Sequence, residues 1–128
     1  MGLQDRVRKA ANDNQLSCVL AHNLAGKWGV MPEALGAAAR EIGIRIIRCQ
    51  IGLFGYGPKG TPSYRVVQAA DNIPKGLTVE VHAELVDGRL PCRAAWALAQ
   101  RSGLTYRQMG DVVVALGLKV KPCQLGQF

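Results

Sequence analysis

The sequence predicts a mainly α protein of two similar three-helix repeats, each followed by a short β-strand, with a linking helix between them. Three observations lead to this fold class. The sequence matches itself at one fixed offset, apolar residues recur at helical spacing in both matching segments, and glycine or proline stands at the expected helix ends. A chain of 128 residues that is 48% hydrophobic is long and apolar enough to bury a core without disulfides.

The repeat is visible when the sequence is displaced by 74 positions, which aligns residues 2–54 with residues 76–128 without a gap. Sixteen of the 53 aligned pairs are identical, and all four cysteines obey the same offset. A match of this length indicates an internal duplication, so the two halves should be related by pseudo-symmetry. The chain then divides into a first repeat (1–54), a connector (55–76) and a second repeat (77–128).

Each repeat is predicted to place three helices and a strand in the same order. The helices are expected at about 3–12, 17–28 and 31–42, and again at about 77–86, 91–101 and 105–116. Ser17 can cap the second helix of the first repeat, and glycine ends the second and third helices of both repeats, at Gly29, Gly43, Gly103 and Gly117. The strands are expected at 44–47 and 118–121, and they could pair across a pseudo-two-fold axis.

The connector is rich in glycine and proline at both ends, but its middle shows helical spacing. Thr61 before Pro62 has the pattern of a helix start, and Tyr64, Val67 and Ala70 follow at helical intervals. This pattern predicts one short linking helix.

The segment LAGKWGVMPEALGAAA (24–39) and its copy LAQRSGLTYRQMGDVV (98–113) resemble the helix-turn-helix superfamily of DNA-binding folds. In both, a small residue lies four positions before a glycine, and an apolar residue follows that glycine directly. Two helices that cross at a steep angle through a short turn require this arrangement. The resemblance therefore concerns the second and third helices of each repeat.

This resemblance implies that the third helix of each repeat is a recognition helix whose first residues face base edges in the major groove of double-stranded DNA. In the second repeat those residues are Thr105, Tyr106, Arg107 and Gln108, and arginine and glutamine can pair with guanine and adenine. The first repeat offers Met31, Glu33 and Ala34 instead, a poor set for reading bases. Contacts to phosphate are expected from Arg40, Arg45, Arg48, Lys119 and Lys121.

The charge balance is compatible with a polyanionic partner, since the net charge is +7 and the pI is about 9.6. The excess is +3 in the first repeat, +2 in the connector and +2 in the second repeat, so it is spread along the chain. The main functional hypothesis is therefore a DNA-binding transcriptional regulator, for which a homodimer is an open possibility.

The four cysteines allow a second hypothesis, a zinc, iron–sulfur or redox-sensing module. Each repeat ends in the same segment, CQIGLF (49–54) or CQLGQF (123–128), and its cysteine can approach the first cysteine of its repeat, or all four can gather between the repeats. The chain lacks the close cysteine pair of most metal sites, and buried cysteine often packs as a small hydrophobe. We therefore expect no metal and no cofactor, with the following as candidate ligands only: Cys18, Cys49, Cys92 and Cys123.

A third hypothesis is a protein-interaction adaptor on the same scaffold. No nucleophile–base pair, phosphate-binding loop or carboxylate pair is apparent in the sequence, so we expect no enzyme activity. No apolar stretch is long enough to span a membrane, and the N-terminal segment is too charged for a signal peptide. The expected location is the cytoplasm, with no membrane partner.

Overall fold

The computed structural model describes residues 2–128, which form six α-helices and one small sheet of two parallel strands. The first half contains α1 (Leu3–Ala10), β1 (Gln15–Ser17), α2 (Cys18–Trp28), α3 (Pro32–Glu41) and β2 (Arg45–Ile47). A short 3₁₀ helix (Pro62–Tyr64) lies in the connector, and the second half contains α4 (Leu77–Ala83), α5 (Cys92–Ser102) and α6 (Tyr106–Ala115). The prediction of a mainly helical protein is confirmed. None of these helices combines the length and the apolar character needed to cross a bilayer.

The ends of the second helix in each half follow the predicted chemistry. The Ser17 hydroxyl oxygen accepts a hydrogen bond from the backbone N–H of Leu20, 3.2 Å away, at the start of α2. Gly29 after α2 and Gly103 after α5 have φ angles of 66° and 70°. This left-handed conformation is strained for a residue with a Cβ atom, so glycine allows both helices to stop at equivalent positions.

The strand pairing differs from the prediction. β2 does not pair with residues 118–121; it pairs in parallel with β1, with Leu16 opposite Ile46. In the second half only an isolated parallel bridge forms, between Leu90 and Val120, which are displaced by 74 positions from that pair. In each half, the segment after the third helix therefore pairs with the residues that directly precede the second helix of the same half. Beyond that bridge the Cys92 N–H donates to the Pro122 carbonyl at 3.0 Å.

The predicted linking helix is also wrong, because helical structure in the connector is limited to the three residues Pro62–Tyr64. The following segment lies extended beside α6. Its backbone N–H groups donate to tertiary partners instead of to one another: Val66 N–H to the Gly52 carbonyl, Gln68 N–H to the Asp111 carboxylate, and Ala70 N–H to the Asp111 carbonyl, at 2.9, 2.9 and 3.0 Å. These bonds satisfy alternate donors that a helix would have used internally.

The core is one continuous apolar cluster to which both halves contribute. Val7 of α1 and Val81 of α4 are fully buried at equivalent positions, but α1 packs against α3 whereas α4 packs against α5. The two halves are therefore similar in their internal turns and dissimilar in how their first helices are placed.

The segments that end the two repeats each cover a helix of the other half. The Ile51 carbonyl lies against Gly110 of α6, and the Leu125 carbonyl lies against Gly36 of α3. Ile51 and Leu125 are 74 positions apart, as are Gly36 and Gly110. This reciprocal packing joins the two halves into one hydrophobic core.

Candidate functional site

Two of the residues predicted to read DNA bases, Thr105 and Gln108, hold the start of α6. The Thr105 hydroxyl oxygen accepts from the Gln108 backbone N–H at 3.0 Å, and the Gln108 side-chain oxygen accepts from the Thr105 backbone N–H at 2.9 Å. This reciprocal pair is a capping box, which satisfies two backbone donors that the helix leaves unpaired. Both side chains are exposed, and their acceptor oxygens are used locally.

Tyr106, the third predicted reading residue, is held by a stack of rings. Its ring lies 4.4 Å from that of Trp96 with the planes 11° apart, and its hydroxyl oxygen accepts from the Gln100 side-chain amide at 2.7 Å. The other neighbour of Trp96 is His22 of the first half, at 4.5 Å between ring centroids. Partial burial lowers the pKa of His22, because the charged imidazolium loses water contact. The stack therefore links α6 to α2 of the opposite half.

Arg107, the fourth reading candidate, contacts the connector. One of its guanidinium nitrogens donates to the Val66 carbonyl at 2.6 Å, and its side chain passes Gly52, where a Cβ atom would collide with it. Arg107 remains exposed at the surface. In this conformation it fastens the connector to α6 while part of its guanidinium remains accessible.

The phosphate-contact candidates are divided between two places. Arg40, Arg45 and Lys119 line one cavity of about 650 Å³ between the halves. Arg48 and Lys121 are exposed and do not line it. Burial raises the pKa of the Tyr56 phenol, and the nearby charges of Arg107 and Arg48 oppose this rise without cancelling it.

The cavity, here called the inter-repeat cavity, was not predicted from the sequence. It is bounded by β2, the segment 118–120, the C-terminal end of the chain and the connector. Two connector cations, Lys59 and Arg65, join the three predicted ones, and no aspartate or glutamate lines it. The sequence shows these two cations but not their position, because the connector's path is set by tertiary hydrogen bonds.

The rings of Phe54 and Phe128, the last residues of the two repeats, meet in this cavity edge to face, with centroids 5.8 Å apart. Phe54 is buried, whereas Phe128 stays 37% exposed. The repeat ends therefore supply an aromatic wall that is partly open to solvent.

The four cysteines are buried free thiols. Burial raises the pKa of Cys18 to about 12 and that of Cys92 to about 11, and it also raises the pKa of Cys49. The neighbouring cysteines add to the rise at Cys18, so the four thiols share one region of the core. Within residues 2–128 no three cysteine, histidine or acidic side chains are arranged to hold a metal ion.

Backbone and side-chain amides lie close to these sulfurs. Backbone N–H groups of Gln50 and Gln124, residues 74 positions apart, bond to Cys18 and Cys92, and the Gln124 side-chain amide lies 3.4 Å from the Cys92 sulfur. Such bonds lower a thiol pKa, but at both cysteines burial is the larger effect. Protonated thiols are poor nucleophiles and poor metal ligands, so this environment suits packing better than chemistry.

Comparison with known proteins adds no assignment. A scan against protein-family models found no match, and neither did searches of the curated proteins and of the solved structures.

Proposed function

We propose that the protein binds double-stranded DNA through two helix-turn-helix-like units related by a pseudo-two-fold axis, and that it regulates transcription. The observation that carries this proposal is the same helix–turn–helix connection in both halves. Val30 N–H donates to the Ala25 carbonyl at 3.0 Å, and Leu104 N–H donates to the Ala99 carbonyl at 2.9 Å. Ala25 and Ala99 are buried where the helices meet.

The reciprocal packing of the two halves supports a two-fold arrangement. A helix-turn-helix pair with such symmetry suits a DNA site made of two related half-sites, because the symmetry of the duplex then matches that of the protein. The halves differ in the residues that begin their third helices, since Met31 and Glu33 stand where the second half has Thr105 and Arg107. We therefore expect the second repeat to make the larger contribution to base contact.

The cations available for phosphate are largely uncompensated. Among residues 2–128 the one ion pair is between Arg8 and Asp5, at 3.6 Å, and both side chains are mostly exposed. Arg48 and Lys121 are thus free of carboxylate partners within the described chain. Because Thr105, Tyr106 and Gln108 are engaged in local contacts, phosphate contacts should dominate affinity and sequence preference should be modest.

Fluorescence anisotropy with labelled duplexes of mixed sequence tests this proposal. Binding should weaken as salt rises from about 50 to about 200 mM, because neutralised phosphates release counterions. The double variant Arg48→Gln/Lys121→Gln should bind all duplexes more weakly and flatten the salt slope by about two units. The matched control is Arg93→Gln/Arg101→Gln, which removes two exposed cations from α5. Absence of salt-dependent binding at micromolar protein would contradict the proposal.

A further inference from the structure

We propose that the inter-repeat cavity binds a small organic anion with a flat apolar body. The inference does not rest on DNA binding and is tested without DNA, although three of the lining cations, Arg40, Arg45 and Lys119, are also candidates for phosphate contact. The volume of the inter-repeat cavity, about 650 Å³, lies within the usual range of about 300–1,000 Å³ for small-molecule sites.

The apolar part of the ligand is specified by the cavity walls. Ile46 and Val120, at equivalent positions of the two repeats, are both buried core residues and both line the cavity. Phe54 and Phe128 stand beside them with their rings perpendicular. Perpendicular rings offer a face and an edge, which are the surfaces that another aromatic ring prefers to contact.

The five lining cations specify a negatively charged ligand. They are Arg40 and Arg45 from the first repeat, Lys59 and Arg65 from the connector, and Lys119 from the second repeat. No aspartate or glutamate side chain lies among them, so their like charges repel one another. A cleft with low-dielectric walls focuses such a field toward anions. A bound anion would relieve this repulsion, whereas packing alone gives no reason to assemble five cations around one opening.

Arg40 is the cation best placed to orient the anionic group. One of its guanidinium nitrogens donates to the Gly126 carbonyl at 3.1 Å, so its side chain is held between the two halves. The other nitrogens of the planar guanidinium remain able to donate to a carboxylate, sulfonate or phosphate. The ligand would therefore contact both repeats and the connector together.

Titration with the fluorescent dye 8-anilinonaphthalene-1-sulfonate tests the proposal, with N-phenyl-1-naphthylamine as a probe of the same shape without the anionic group. We expect one sulfonate dye per native chain, bound at least about tenfold more tightly than the neutral dye. Circular dichroism and a cooperative urea transition at saturating dye must show that the chain remains folded. Equal affinity for the two dyes overturns the anion assignment.

Two variants locate the dye. Arg45→Gln/Lys119→Gln removes a rim cation from each repeat and should weaken the sulfonate dye about tenfold while changing neutral-dye binding little. Val114→Trp places a large side chain on a half-buried lining position and should abolish binding of both dyes. Arg93→Gln/Arg101→Gln, on α5 outside the cavity, should leave both affinities unchanged.

If Val114→Trp misfolds, amide chemical-shift changes in the wild-type chain decide the site. Shifts on dye addition should concentrate at Ile46, Val120 and Phe128. Shifts elsewhere, or a sulfonate affinity that is equal in Arg45→Gln/Lys119→Gln and wild type, overturn the proposal.

Discussion

The carbonyl oxygen of Leu125 occupies the space where a side chain on Gly36 would begin. The same relationship joins Ile51 to Gly110 in the opposite direction. In each pair a residue from the segment that ends one half lies against the third helix of the other half. Close approach of backbone to helix is possible here because glycine has no Cβ atom.

Gly36→Ala should therefore destabilise the protein by at least about 2 kcal/mol, because the new methyl group must displace the Leu125 backbone. Gly110→Ala should destabilise the protein similarly, because its methyl group would meet the Ile51 carbonyl. The matched control is Gly26→Ala in α2, where a Cβ atom meets nothing within 4 Å. Alanine there should raise stability by about 0.5–1 kcal/mol through helix propensity. Urea unfolding compares the three, and an equal effect at Gly36 and Gly26 would refute the close packing.

The starts of α3 and α6 make a second comparison. Thr105 caps α6, whereas Met31 at the equivalent position before α3 provides no side-chain cap. Thr105→Ala should cost about 1 kcal/mol of unfolding free energy. Met31 is 60% exposed, so Met31→Thr should add stability of about the same size without loss of packing. Thermal and urea unfolding measure both changes, and a destabilised Met31→Thr would be inconsistent with the open cap.

The buried thiols should make stability fall at alkaline pH. The unfolded cysteines ionise near pH 9.0, whereas Cys18 and Cys92 in the folded chain stay protonated until pH about 12 and about 11. The contribution of these protonated thiols to the free energy of unfolding is therefore complete below pH 9. It is lost as pH rises, by up to about 1.4 kcal/mol per pH unit for each thiol. Urea unfolding between pH 7 and 10.5 measures this slope.

The control for the thiol slope is Cys18→Ala/Cys92→Ala, which should reduce it, because the remaining lysines and tyrosines titrate in both proteins. An unchanged slope would count against burial of neutral thiols. Elemental analysis of anaerobically purified protein gives a second check. One equivalent of zinc or iron per chain would require ionised ligands and would contradict a purely structural role.

Arg107→Ala should loosen the connector, because it removes the donor to the Val66 carbonyl. Hydrogen exchange should accelerate at Val66, Gln68 and Ala70, whose N–H groups are bonded near α6. Any sequence preference in DNA binding should decline as well, as expected for a base-contacting arginine. Arg101→Ala, at an exposed site on α5, is the control. Unchanged exchange in the connector would show that Arg107 does not hold it.

Local features of this protein were predictable because they depend on few neighbouring residues. The left-handed turns at Gly29 and Gly103 and the cap at Ser17 follow from residue types that the backbone requires at these points. The 74-residue offset predicted which positions would behave alike, and it applies to the Leu16–Ile46 pair and the Leu90–Val120 bridge.

Features that depend on distant partners were decided by the tertiary structure alone. Helical spacing at Tyr64, Val67 and Ala70 predicted a linking helix, yet Gly52 and Asp111 accept the donors that this helix would have used. The residues expected to read DNA bases were likewise identified by residue type. Their engagement in a capping box, a ring stack and a connector contact depends on packing.

The inter-repeat cavity shows the same division. The sequence by itself determined that the chain is basic, duplicated and mainly helical, since composition, repeats and periodicity are properties of the linear chain. Only the tertiary structure decided that Arg40, Lys59 and Lys119 surround one opening. The physical reason is that a local pattern selects a backbone conformation, whereas the site is formed by segments far apart in sequence that meet only when the core closes.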